Sequence, residues 1–183
     1  MKQYWNYLDT KTIYENRVVR FREDKYHFLP NNIISDYTVF EFTDWVNIIP
    51  ITPDGMIITI RQFRHGIKAD TIEIPGGLIS AEDRSPLDAA KREMEEETGY
   101  SSRDIRLLGM VEPNPAIQTN KCYTFLANDV YLKSGQNLDP TEAISIDIVK
   151  KDSIYNMIRD NRITHSLVVA AFAHLMIYEN YNR

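Results

Sequence analysis

Stretches rich in β-branched and aromatic residues fill the first part of the chain, and the spacing of apolar positions changes near residue 85. Residues 17–28, "RVVRFREDKYHF", and 33–43, "IISDYTVFEFT", suit strands. The "LPNN" at 29–32 between them predicts an antiparallel hairpin. "WVNIIPI" and "MIITIRQF", joined by the turn residues "TPDG" at 52–55, predict a second hairpin. A short strand over "TIEI", 71–74, runs into Pro75-Gly76-Gly77. Over 85–98 the period becomes helical, with Leu87, Ala90 and Met94 forming one apolar stripe. Ser85 suits the N-cap, Pro86 the first helical position, Asp88 a variant capping box and Gly99 the stop. Strands are expected at 105–112, 121–131 and 144–149, and helices near 152–160 and 165–180. The economical architecture is α/β: a mixed β-sheet sandwiched between helices, with an N-terminal antiparallel strand appendage.

Composition narrows this little. The 183 residues contain 43% hydrophobic and 11% aromatic side chains, enough for a sizeable core in one domain with a small appendage. A net charge of −5 without a basic stripe argues against nucleic acid as a partner. Cys122 is the one cysteine, which rules out an internal disulfide and suits a reducing compartment. It has no visible base partner and reads as structural. "LVVAAFAHLMIY" at 167–178 is too short to span a bilayer, and the first residues lack the apolar core of a signal peptide, so the expectation is a cytoplasmic protein with no membrane partner. His65, His165 and His174 do not form a metal spacing, and His174 on its apolar helix reads as a satisfied core histidine.

The chemistry concentrates in "REMEEETGY", residues 92–100. Glu93 and Glu97, four apart, share a helix face with Glu96 beside them. Like charges so placed repel, and a divalent cation reverses that by using the carboxylates as hard oxygen ligands. Arg92 can brace one of them in a bidentate pair. Glu95 points elsewhere and is expected to be solvated. Upstream, Gly76-Gly77 permits a close backbone approach to the acidic face.

Together these residues resemble the Nudix hydrolase box: a glycine, a later glutamate, then Arg-Glu-apolar-any-Glu-Glu-any-Gly-apolar. Arg92, Glu93, Met94, Glu96, Glu97, Gly99 and Tyr100 match the second half at every position. The stretch from Gly77 to Arg92 is one residue longer than the family pattern, so the early glutamate falls on either Glu82 or Asp83. "RQFRHG" at 61–66, "EIPGG" at 73–77, Pro115 beyond the box and the N-terminal hairpin resemble the ADP-ribose and nucleotide-sugar pyrophosphatase branch.

The resemblance implies a Nudix-type domain over 44–183 and a dimer-forming strand subdomain over 1–43, giving a homodimer. It implies Mg²⁺-dependent hydrolysis of a nucleoside diphosphate sugar, with Mn²⁺ as second choice of ion. Glu93, Glu96, Glu97 and the Gly76 carbonyl are the implied metal ligands, with Arg92 as brace. Glu142, in "DPTEAISI", is either the general base or a solvated loop carboxylate. Arg61 and Arg64 alternate with Gln62 and Phe63 along a strand, which is taken to put both on one side, as a phosphate clamp or as surface ion pairs. Trp45 is a base-stacking platform or a packing residue, ahead of Tyr37 and Phe40. Glu73 is an outer metal partner or a partner for arginine. Two other activities stand beside this one: a clean-up hydrolase for nucleoside triphosphates or dinucleoside polyphosphates, and a regulator that binds nucleotide-sugars without cleaving them.

Overall fold

The structure is a computed structural model that describes residues 4–181. It divides into two compact units, one built from the segment ending at Thr43 together with Glu112–Lys121, the other from Asp44–Val111 and Cys122–Arg183.

The first unit is a three-stranded antiparallel sheet in the order β1 (Trp5–Glu15), β2 (Val19–Phe28), β3 (Ile33–Phe42). The expected β2–β3 hairpin forms around a short turn at Leu29–Asn31, with Asn32 in the left-handed region at φ 51. β1 was not anticipated from the sequence. Nearly all of its side chains are exposed, so no apolar face marks it as a strand. Aromatic pairs tie the sheet together: Trp5 lies 4.5 Å from Phe28 and Phe21 stacks on Phe40 at 5.2 Å between ring centres. Tyr37 and Phe40, considered as stacking platforms for a base, are occupied in these ring contacts.

The second unit carries two larger sheets. One is mixed, in the order β7 (Gly76–Leu78), β4 (Trp45–Pro50), β10 (Cys122–Asn128), β9 (Asp104–Val111), with β4 and β10 parallel. The other is antiparallel, β12 (Ile144–Lys150), β5 (Met56–Arg64), β6 (Ala69–Glu73). β8 (Tyr100–Ser101) and β11 (Tyr131–Leu132) form a small ribbon. Contrary to the expected second hairpin, β4 and β5 belong to different sheets. The "TPDG" turn does close, with Thr52 N–H donating to Met56 O at 2.9 Å and a single bridge between Ile51 and Ile57. Past it the strands part, because each has a longer ladder elsewhere: β4 with β10, β5 with β12.

Three helices cover these sheets: α1 (Pro86–Thr98), α2 (Lys151–Arg159) and α3 (Ser166–Tyr181). Strands in the middle are buried on both faces and feed two apolar clusters by alternation. Val46, Ile48, Ile58, Phe125 and Ala127 join Ala90 and Met94 of α1. Ile49, Ile57 and Leu126 join Ile154 of α2 and Phe172 of α3. Burying Met94 fully contributes about 2 kcal/mol to holding α1 in place. Helix α1 is capped as expected: Ser85 Oγ accepts from Asp88 N–H, and Gly99 ends the helix at φ 76. His174 departs from expectation. It lies over Gly109, where an added Cβ would sit 2.4 Å from the ring, and its buried Nε2 has no hydrogen-bond partner. No helix among the described residues is long and apolar enough to cross a membrane.

Candidate active site

α1 presents its carboxylates to the glycine pair at β7. Gly76 N–H donates to Glu97 Oε2 at 2.9 Å. A Cβ on Gly77 would lie 2.5 Å from Glu93 Oε1, and one on Gly76 would lie 2.3 Å from Val46 O. Neither position can hold a side chain without moving the strand or the glutamate. The glycines are therefore the floor against which the acidic face rests.

Arg92 organises one side of that face. Nη1 donates to Glu93 Oε1 at 2.8 Å and to Glu96 Oε2 at 2.9 Å. Nε and Nη2 form a fork on Asp83, at 3.1 and 2.9 Å, and Nη2 also reaches Leu78 O at 3.0 Å. Of the two residues Glu82 and Asp83, Asp83 meets the arginine and Glu82 is exposed. Hydrogen bonds from Arg92 hold the Asp83 carboxyl down to about 2, and Asp83 in turn raises the arginine.

Glu97 stands in a different field. Burial pushes its carboxyl up to about 8, the charges of Glu93 and Glu142 add to that, and the Gly76 N–H and Arg64 oppose it. Glu93 is also raised, again by burial first, against the pull of Arg92. As they stand, no three carboxylate, imidazole or thiol groups among the described residues close around one point. The donors are nonetheless all oxygen, and the raised carboxyls of Glu93 and Glu97 gain from any added positive charge. That chemistry fits a hard divalent cation.

Glu95 departs from the expectation of a solvated side chain. It accepts from Lys133 Nζ at 2.8 Å and from Ser101 Oγ at 2.7 Å, which ties α1 to the ribbon beside it.

Arg64 and Glu73 face each other across β5 and β6. Nε and Nη2 of Arg64 donate to the two Glu73 oxygens at 2.7 and 2.6 Å, and Thr71 Oγ1 donates to the same carboxylate. Glu73 is thus a partner for arginine. Arg61 is not brought to this place. Contrary to the expected common side, the two arginines face opposite ways, since a strand repeats every two residues and these positions are three apart. Arg61 pairs instead with Asp147 at 3.7 Å, where both are exposed.

Two clefts meet at Arg64. One, of about 340 Å³, is lined by Trp45, Asn47, Arg64, Gly76, Gly77 and His165 among others. The second, of about 770 Å³, has Gln62, Arg64, Thr71, Glu142 and His165 in its walls. Trp45, Arg64, Glu73 and Glu142 from the sequence analysis all border these spaces. Cys122 also lines the first, where burial pushes its thiol up to about 12, consistent with a packing residue.

His165 and Asn47 were missed. His165 lies just before α3, its Nδ1 accepts from Leu167 N–H at 3.3 Å, and its Nε2 is 3.9 Å from Glu73 Oε2. The buried Asn47 donates from Nδ2 to Leu167 O at 3.2 Å, and its Oδ1 has no partner. The signals were slight: His165 opens a predicted helix, and Asn47 is the one polar side chain inside the apolar predicted strand "WVNIIPI".

Residues 42–170 match the NUDIX domain. The chain is 27% identical over 173 residues to a protein of Bacillus methanolicus named methanol dehydrogenase activator, covering 94% of this chain and 92% of that one. It is 25% identical over 152 residues to the ADP-ribose pyrophosphatase of Bacillus subtilis, covering 82% of each. A solved structure titled as an ADP compounds hydrolase superposes with a TM-score of 0.85 at 22% identity, over 98% of this chain and 96% of the other, and so shares the fold. The domain match covers most of the chain, the arginine–glutamate helix rests on its glycine pair, and the protein belongs to the Nudix family of hydrolases.

Proposed function

We propose that the protein hydrolyses the pyrophosphate bond of nucleoside diphosphate sugars such as ADP-ribose, giving a nucleoside monophosphate and a sugar phosphate. The observation that carries this is Glu97, a buried carboxylate raised to about 8 beside Glu93 and set against Gly76 N–H. The likeness to the Bacillus subtilis enzyme supports the choice of substrate.

Glu93, Glu96, Glu97 and the Gly76 carbonyl are the proposed ligands of Mg²⁺, or of Mn²⁺. Such an ion, when bound, neutralises phosphoryl oxygens and acidifies water. Arg92 fixes the directions of Glu93 and Glu96. Arg64 is held by Glu73 through Nε and Nη2, which leaves Nη1 to engage a phosphate oxygen. Glu142 takes the proton of the attacking water; its charge reaches Glu93, Glu97 and Arg64. Trp45 offers a face for the base. The assembly is a homodimer formed through the N-terminal strands, which expose Trp5, Tyr7, Ile13, Ile33 and Ile34.

A second reading, favoured by the likeness to the Bacillus methanolicus protein, is regulation of a partner enzyme. A panel of nucleoside diphosphate sugars, nucleoside triphosphates and dinucleoside polyphosphates, assayed for product with and without Mg²⁺, separates these. Turnover of ADP-ribose or a related sugar only with the metal is the expected result. Tight binding without turnover favours the regulator, and preference for triphosphates favours a clean-up role.

A further inference from the structure

We propose that Gln136 is a positioning residue that clamps the loop bearing Glu142 onto the end of α1. The inference rests on the proposed role of Glu142 as general base.

The last carbonyls of any helix lack partners within it. On α1 these are met by the irregular segment between β11 and β12. Lys133 N–H and Ser134 N–H donate to Gly99 O at 2.9 and 3.1 Å, and Asn137 N–H donates to Glu96 O at 2.8 Å. The carbonyl of Glu97 is met by a side chain instead: Gln136 Nε2 donates to it at 2.6 Å. The same nitrogen donates to Ile144 O at 3.1 Å. Both partners are acceptors only, so the amide has one workable orientation, with its NH₂ group toward them.

These two carbonyls have special places. Glu97 is the proposed metal ligand itself, and Ile144 opens β12 two residues after Glu142. Asn137–Ala143 is therefore an arch with both feet held by one amide group. Inside it, Glu142 N–H donates to Asp139 O at 2.9 Å and Asp139 N–H donates to Glu142 Oε2 at 3.1 Å, a compact turn. Gly99 makes the docking possible, because a Cβ there would lie 2.3 Å from Ser134 O. Without the Gln136 bonds the arch hangs between β12 and the Asn137 contact, and more backbone conformations open to it. The distance from Glu142 to the α1 carboxylates then varies, and a displacement of an ångström at a reacting group is costly in rate.

The experiment is a double-mutant cycle on turnover of ADP-ribose at saturating Mg²⁺, with Gln136→Met, Glu142→Gln and the pair. Met matches the length of Gln and lacks its N–H donors, and residue 136 is exposed, so the core is untouched. Gln136→Met is expected to lower kcat about ten- to a hundred-fold with KM little changed. In the Glu142→Gln background it is expected to lower kcat no further, because its effect runs through Glu142. An unchanged kcat in Gln136→Met, or an equal fall in both backgrounds, overturns the clamp while leaving the general base in place. An unchanged kcat in Glu142→Gln overturns the general base and the clamp with it.

Discussion

Glu73 and Glu97 are 3% and 4% exposed, yet their carboxyls are held in opposite states. For Glu73, burial pushes the carboxyl up, but hydrogen bonds from Arg64 and Thr71 outweigh it and the group titrates low. For Glu97, burial meets one backbone N–H and two repelling carboxylates, and the group rises to about 8. Equal burial thus has two outcomes, decided by what lies within hydrogen-bond reach. A buried carboxylate with its own arginine serves geometry, because it aims the arginine. One left without an ion-pair partner retains an electrostatic demand that a ligand can meet.

The comparison can be broken most directly by Glu97→Gln. Metal-dependent turnover is expected to fall by about 10³-fold or more, with the thermal unfolding transition retained. Near-normal turnover would remove Glu97 from the metal site. Glu73→Gln is expected to act differently. It leaves Arg64 without its fork and lowers stability by about 1–3 kcal/mol, a fall of several degrees in Tm. An unchanged Tm would show that Arg64 does not depend on Glu73.

The most discriminating effect lies in the pH dependence of stability of the metal-free protein. A raised folded-state carboxyl favours folding fully below its unfolded value near 4.5, and that contribution is lost as pH rises to about 8. Glu73 is lowered, so its contribution is present above about 4.5 and is lost on acidification. Chemical denaturation at pH 5 and pH 8 in EDTA should show the wild type losing more stability than Glu97→Gln across that window, while Glu73→Gln keeps the wild-type slope. Equal slopes in all three would mean that burial does not raise Glu97.

How much of this was legible beforehand follows from the range of the interactions. The caps and stripe of α1 are local, so Ser85, Met94 and Gly99 stand where the sequence puts them. The same holds for the match of Arg92 to Glu97 with the family pattern, since one helix carries all of it. The sheet split was not legible: "TPDG" turns the chain equally well whether or not the ladder continues. The Arg64–Glu73 fork was half legible, because the residues were singled out but their register across β5 and β6 was not. Arg61 lies on the face opposite Arg64, because a strand's period of two separates positions three apart. His165, Asn47 and Gln136 carry no motif, and their roles appear only once α3, β4 and the loop after β11 are folded around the clefts.

The parallel pairing of β4 with β10 also governs when this site can exist. Trp45 has Cys122 as its partner, so the strand that begins the first cleft waits for one made much later in the chain. Contacts of such long sequence separation form slowly, since a large loop must close before any bond rewards it. During synthesis the acidic helix and its glycine floor emerge well before β10, and the Gln136 clamp emerges later still. Until then the growing chain carries the family's signature residues without the finished sheet beside them, and a ribosome-bound fragment ending before Cys122 is expected to leave the β10-facing edge of β4, the strand of Val46 and Ile48, unpaired and aggregation-prone.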